Sequence, residues 1–351
     1  MKKMLKKLGS IFLILVMLSM SMVACTPSTA ASADGTGESS DGQTKKIKAA
    51  FVLGGSISDG AFGTISYQGI QKVKEEDFIE KADYVEGVIA ATDAAKAIRD
   101  YVADGYDVVW SQSGAHGAAV MEIAPQFPDT VFVTLVSPPS NQTFDNVWFG
   151  LNECEGGYYL AGALAARMTQ SDTIGFVGGR ENPLYVACSR AYEEGAQSVN
   201  SDIKVLTVFT SDFNDPIKAK EATVSQIQSG ADVITHLQDL GMTGVFAAAE
   251  ESTEAGKKVW VIGKGSDQYE QAPDVVLTSV IMDYGVQMKD ILHEVANGKK
   301  GGSMPQSVAR GSVYLADFHG NVPSDVETQM DELTEKVKAG NITYTTQYDV
   351  E

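Results

Sequence analysis

The stretch TDAAKAIRDYVADGYDVVWSQSGAH (92–116) holds one repeat of the architecture. Ala95, Ile98, Tyr101 and Val102 recur at helical spacing and share one face, so its first half reads as an amphipathic helix. DVVWS (107–111) follows as a short strand of the kind buried on both faces of a parallel sheet. It ends in Gln112-Ser113-Gly114-Ala115-His116, where small and polar residues replace apolar bulk. Helix, strand, then a small-residue turn is the unit from which open α/β sheets are wound.

The same alternation runs outward in both directions. Strands are expected at KAAFVL (48–53), DYVEGV (83–88) and TVFVTLV (130–136), then at TIGFVGG (173–179), IKVLTVFT (203–210), DVITHL (232–237), KVWVIG (258–263) and VVLTSVI (275–281). Right-handed βαβ crossovers join such strands in parallel. The pattern runs to about Asn152 and restarts, which favours two doubly wound α/β lobes over one long sheet. A shorter block, a helix at 285–297, SVYLADF (312–318) and a helix at 324–339, reads as chain crossing back between them. The expected division is 47–151 with about 285–316 in the first lobe, and 152–284 with about 317–351 in the second.

Open α/β sheets bind ligands beyond the carboxyl ends of their strands, where helix N-termini offer free N–H groups. Here those ends carry Gly54 to Gly63, Gln112 to His116, Gly178-Gly179, Gln238-Asp239 and Lys264 to Asp267. Two aromatics fall in such connections, one per half: Phe62 and Phe213. Facing each other across a cleft they would sandwich a flat ring, and stacking adds about 0.5–1.5 kcal/mol beyond burial. Asp59 and Asp239 could accept N–H bonds from a nucleobase or bonds from sugar hydroxyls. Asp215-Pro216 reads as a helix cap followed by proline at the first helical position.

The N-terminus is a targeting segment. Lys2, Lys3, Lys6 and Lys7 precede the apolar run IFLILVML (11–18), and SMVAC ends on Cys25. This is the form of a lipoprotein signal peptide (1–24), cleaved before a cysteine that is then acylated. The run is shorter than the roughly 20 residues a membrane-spanning helix needs. Residues 25–46 hold almost no apolar bulk and read as a flexible tether. An address on the extracytoplasmic face of the cell membrane follows.

Charge narrows the partners. The chain carries 27 Lys and Arg against 46 Asp and Glu, a net charge of −19. So acidic a chain, with no basic run outside the signal, excludes nucleic acid as a partner and leaves a covalent lipid as the membrane anchor. Cys154 and Cys188 are too few for a disulfide scaffold, and spacing leaves open whether they pair. The four histidines, His116, His236, His293 and His319, lack metal-ligand spacing. The glycine-rich turn at Gly54 matches no nucleotide-phosphate pattern, and Ser113 in SQSGAHG is not a nucleophile elbow. The expectation is a monomeric binding protein without catalysis, metal or cofactor.

At these same segments the chain resembles the basic membrane protein family of bacterial substrate-binding lipoproteins, the purine nucleoside receptor group. The likeness spans about residues 47–343. It rests on GGSISDGAFG (54–63), YYLAGALAARM (158–168) leading into TIGFVGG, AYEEGAQSVN (191–200), SDFNDPIKAKEA (211–222), GADVI (230–234), VIGKGSDQ (261–268) with APDVVLTSV (272–280), and VKAGNI (337–342). The resemblance implies a type I periplasmic-binding-protein fold whose two lobes, joined by three crossings, close on a ligand. It also implies delivery of that ligand to an ABC permease with its ATPase.

Position by position, Asp59 matches the family's first acidic residue, and Phe62 and Phe213 match its stacking aromatics. Gly63 stands where the family has asparagine. Its sugar-binding aspartate is Gly265 here, followed by Ser266 and Asp267, and its lysine is Met282. A bare base would leave such an acid and base unpaired, so their absence makes a purine nucleobase or related flat heterocycle the expected ligand. The alternatives are a purine nucleoside or riboflavin-like ligand, or a ligand-sensing receptor lipoprotein without transport. The expected ligand-binding set is Asp59, Phe62, Gly63, Ser113, Gly114, His116, Phe213, Asp239, Gly265 and Asp267, with Cys25 as the lipidation site.

Overall fold

Apolar strands separated by amphipathic helices can bury both sheet faces only by winding helices onto each side, and the chain does this twice. The computed structural model describes residues 45–138 and 141–350, so the signal peptide, most of the tether and Cys25 lie outside the described residues. The first half runs β1 (Ile47–Leu53), α1 (Phe62–Lys74), β2 (Ile79–Val85), α2 (Ala91–Ala103), β3 (Val108–Gln112), α3 (Gly117–Ile123), β4 (Val131–Thr134) and β5 (Val147–Asn152). The second runs α4 (Glu155–Met168), β6 (Thr173–Gly178), α5 (Pro183–Gln197), β7 (Lys204–Phe209), α6 (Pro216–Gln228), β8 (Val233–Leu237), α7 (Met242–Glu254), β9 (Trp260–Gly265) and β10 (Val276–Met282). Then come α8 (Tyr284–Ala296), β11 (Gly302–Gln306), β12 (Val313–Leu315) and α9 (Ser324–Lys338).

Among the described residues two six-stranded sheets result, ordered β11-β5-β4-β3-β1-β2 and β12-β10-β9-β8-β6-β7. Every pairing is parallel except β12 with β10. Central strands β3, β8 and β10 are buried along their whole length, whereas edge strands β2 and β7 are half-exposed. The chain passes between the sheets three times: from β5 into α4, from β10 into α8, and from β11 into β12.

Three expectations are corrected. The second strand is Ile79–Val85 rather than 83–88, because an edge strand tolerates the polar Glu80, Lys81 and Asp83, and Gly87 (φ 70°) turns the chain just beyond. Strands β5 and β11 were not foreseen; GSMPQ (302–306) has no apolar alternation and becomes a strand by pairing with β5. The boundary near 316 also moves, since β12 is antiparallel to β10 in the second sheet. Cys154 and Cys188 are fully buried free thiols with Sγ atoms 3.4 Å apart. Burial pushes the Cys188 thiol far above its ordinary range.

Candidate functional site

A cleft of about 750 Å³ opens between the carboxyl ends of the two sheets. Phe62, Ser113, Gly114, Ala115 and the 135–137 turn line it from the first sheet's side. Asn182 to Tyr185, Phe213, Asp239 and Lys264 line it from the other, with Asn152 at a crossing and Gln347, Tyr348 and Val350 beyond α9. Among the described residues no cluster of His, Cys, Asp or Glu could hold a metal ion.

Each aromatic is braced. Phe62 opens α1 and meets Tyr284 edge-on, with centroids 5.5 Å apart and planes at 89°. Phe213 meets Tyr185 in the same way, at 5.5 Å and 77°. The loop carrying Phe213 is tied down by its own carbonyl, which accepts N–H bonds from Asp239 (2.9 Å) and Gly241 (3.0 Å). Two residues earlier, Ser211 holds a left-handed φ of 65°, a strained setting for a non-glycine residue beside a cleft-lining side chain.

At the second lobe's strand ends, the Lys264 Nζ donates to Asp239 Oδ1 over 2.7 Å. Lys264 is only 8% exposed. Burial is the largest influence on its ammonium and opposes the charge, but the Asp239 carboxylate, the Tyr185 hydroxyl and Cys154 together outweigh it and hold the ammonium above the ordinary lysine range. Nearby His236 accepts the Gln238 N–H at Nδ1 and faces Gln268 Oε1 through Nε2, so it is neutral. Burial, helped by Lys264, lowers it to about 4.

Of the expected binding residues, Phe62, Ser113, Gly114, Phe213 and Asp239 line this one cleft. Five others do not, and each has another occupation. The Asp59 carboxylate caps α1, accepting the N–H groups of Ala61, Gly63 and Thr64 and the Thr64 hydroxyl. Gly63 is buried in that turn, where a Cβ would lie 2.0 Å from the Ser56 carbonyl oxygen, so an asparagine there would require the 56–63 turn to shift. His116 is fully buried between the Ser111 hydroxyl (2.8 Å) and the Val88 carbonyl (2.7 Å). Gly265 has φ 89° at the end of β9, and a Cβ there would sit 3.3 Å from Ile65 Cδ1. Asp267 is turned outward to His319 Nε2 at 2.9 Å.

The expected loss of a cation at Met282 is also corrected. Met282 is packed in the core, but Lys264 of the neighbouring strand brings an ammonium into the cleft. Sequence reasoning placed Lys264 at a ligand-facing strand end but left it out of the binding set, and it missed Asn152, Asn182, Tyr185 and Gln347. A lysine closing the otherwise apolar strand WVIGKG was the available signal for the first.

Two α/β lobes with a ligand-sized, aromatic-walled cleft at their strand ends define a solute-binding protein. Solved structures agree on the fold: an ABC transporter solute-binding protein from Conexibacter woesei superposes with TM-score 0.70 over 87% of this chain and all of its own, at 21% identity. One from Aeropyrum pernix gives 0.71 over 86% of this chain and 93% of its own, at 20% identity. Residues 46–347 match the family model described as ABC transporter substrate-binding protein PnrA-like, and the chain belongs to that family. A purine-binding protein of Brucella abortus is 28% identical, covering 85% of this chain and 83% of its own. The ABC transporter nucleoside-binding protein BmpA of Lactococcus lactis is 30% identical over 72% and 76%. Substrate-binding proteins of such importers work outside the cytoplasm and pass a small molecule to a permease. Among the described residues no helix is long and apolar enough to cross a membrane.

Proposed function

We propose that this protein captures a purine between Phe62 and Phe213 and delivers it to an ABC permease, held at the membrane as a monomer by lipid on Cys25. The reading rests on one observation: two braced aromatics on opposite lobes share a cleft with a buried donor–acceptor pair. The rings would stack on the two faces of a heterocycle, and Asp239 and Lys264 would address the N–H and C=O or ring-nitrogen groups on its edge. The name of the Brucella relative points to a purine, and that of the Lactococcus relative to a nucleoside.

The ligand proposed is the free base. Asp239 and Lys264 already satisfy each other, so a base can enter without leaving either charge unpaired. A nucleoside is the second reading, favoured by the size of the cleft and by the amides of Asn152, Asn182 and Gln347 along its wall. Native mass spectrometry of protein purified from cells, followed by calorimetry with adenine, hypoxanthine, guanosine and riboflavin, decides the class. Tightest binding by a base supports the first reading, and tightest binding by guanosine supports the second. Riboflavin binding alone, or no purine binding, overturns both. A Cys25→Ser protein that still fractionates with membranes would remove the lipid anchor.

A further inference from the structure

Residues 344–350 leave the second lobe beyond α9 and end in the cleft. Thr345 is held by Glu194 of α5, which accepts its N–H at 2.8 Å and its hydroxyl at 2.6 Å. Two residues on, the Gln347 N–H donates to Glu155 Oε1 (2.8 Å), and its Nε2 donates to the Asn152 carbonyl (2.6 Å). Tyr348 O–H reaches Glu153 at 3.4 Å. Asn152, Glu153 and Glu155 are the β5-to-α4 crossing, so this segment is bonded to one of the three connections between the lobes. Gln347, Tyr348 and Val350 then face the same cavity as Phe62 and Phe213.

We propose that this segment is a strap that completes the binding site, with Gln347 as its positioning residue, and that its latching retards ligand release. Gln347 spends its backbone N–H and its amide on the crossing, fixing both the strap and Asn152, whose side chain accepts from Tyr284 O–H at 3.4 Å. Tyr284 in turn braces Phe62. A wall built this way acts on escape more than on entry, so the dissociation rate should carry its effect. The inference rests on the purine reading only for the choice of probe.

Glu194 offers a test from outside the cleft, because Glu194→Ala frees Thr345 without altering any lining residue. Stopped-flow release of adenine and of guanosine should quicken about tenfold in Glu194→Ala and in Gln347→Ala, with association nearly unchanged. Thermal melts verify that both variants are folded, and Gln347→Glu, which lacks the amide donor, should resemble Gln347→Ala. Hydrogen exchange gives a readout that needs no ligand: Glu194→Ala should expose the amides of 344–350 and of the 151–155 crossing. If wild type binds neither purine, the functional reading fails while the exchange result still judges the strap. Wild-type release rates in both variants, or unchanged exchange at the crossing, would overturn the inference.

Discussion

Lys264 and Asp239 are unequal partners. The lysine side chain is 9% exposed and the aspartate 24%, so their charges differ in what it costs to strand them. Removing one partner of a buried pair costs about 3–5 kcal/mol, because the survivor stays desolvated. Asp239→Ala strands the deeper ammonium, whereas Lys264→Met strands a carboxylate that water can reach. Urea denaturation should therefore show Asp239→Ala as the less stable variant by at least about 1 kcal/mol; the reverse order would mean that Lys264 is hydrated. The two cleft aromatics make a separate prediction. Phe62→Ala and Phe213→Ala should each weaken purine binding at least about tenfold, or about 1.4 kcal/mol, by calorimetry. Phe62 and Phe213 were readable because aromatics in strand-to-helix turns are out of place. The role of Asp59 was not, since a carboxylate caps a helix or meets a ligand with the same sequence signature.

Helix α5 shows how an element serves stability and site together. Its cap, Asn182, accepts the Tyr185 N–H at 2.9 Å and is followed by Pro183 at the first helical position. The same three residues line the cleft, and Tyr185 braces Phe213. Asn182→Ala should cost about 1 kcal/mol of stability and weaken ligand binding. Asn182→Ser, which keeps a capping oxygen, should recover most of the stability in chemical denaturation. If both variants melt alike, the cap contributes nothing here. Strand β11 marks the limit of reading elements locally: its five residues pair with a strand about 150 positions earlier, and no nearby pattern announces that pairing.

At the scale of the molecule, the β5-to-α4 crossing carries a titrating group. Glu155 is 1% exposed, and burial, reinforced by Glu153 and Asp349, raises its carboxyl to about 7, although its bonds to its own backbone and that of Gln347 oppose the shift. Tyr344 also lies beside it. With the folded value above the ordinary 4.5, the native state holds the proton more tightly than the unfolded chain. The contribution is fully present below pH 4.5, shrinks as pH rises toward 7, and is lost above that. His236 acts oppositely: its value near 4 withdraws stability as pH falls below the ordinary 6.5. Glu155→Gln keeps an acceptor for the Gln347 N–H without the charge. Relative to wild type it should raise the melting temperature at pH 8 and change it little at pH 4. Equal melting temperatures at pH 8 would show that Glu155 ionises without cost.

The sequence by itself determined the alternation of strand and helix, the restart near Asn152 and the placing of small residues at strand ends. These follow from hydrophobic periodicity and turn chemistry, which act over a few residues. Only the tertiary structure decided which strand-end side chains share the cleft. Asp59, His116 and Asp267 have chemistry suited to a ligand but are taken up by a helix N-terminus, a core carbonyl and His319. Lys264, Asn152 and Gln347 reach the cavity through pairings up to 195 positions apart in the chain. Whether a polar group is free for a ligand depends on which partners the fold brings to it, and those partners are distant in sequence.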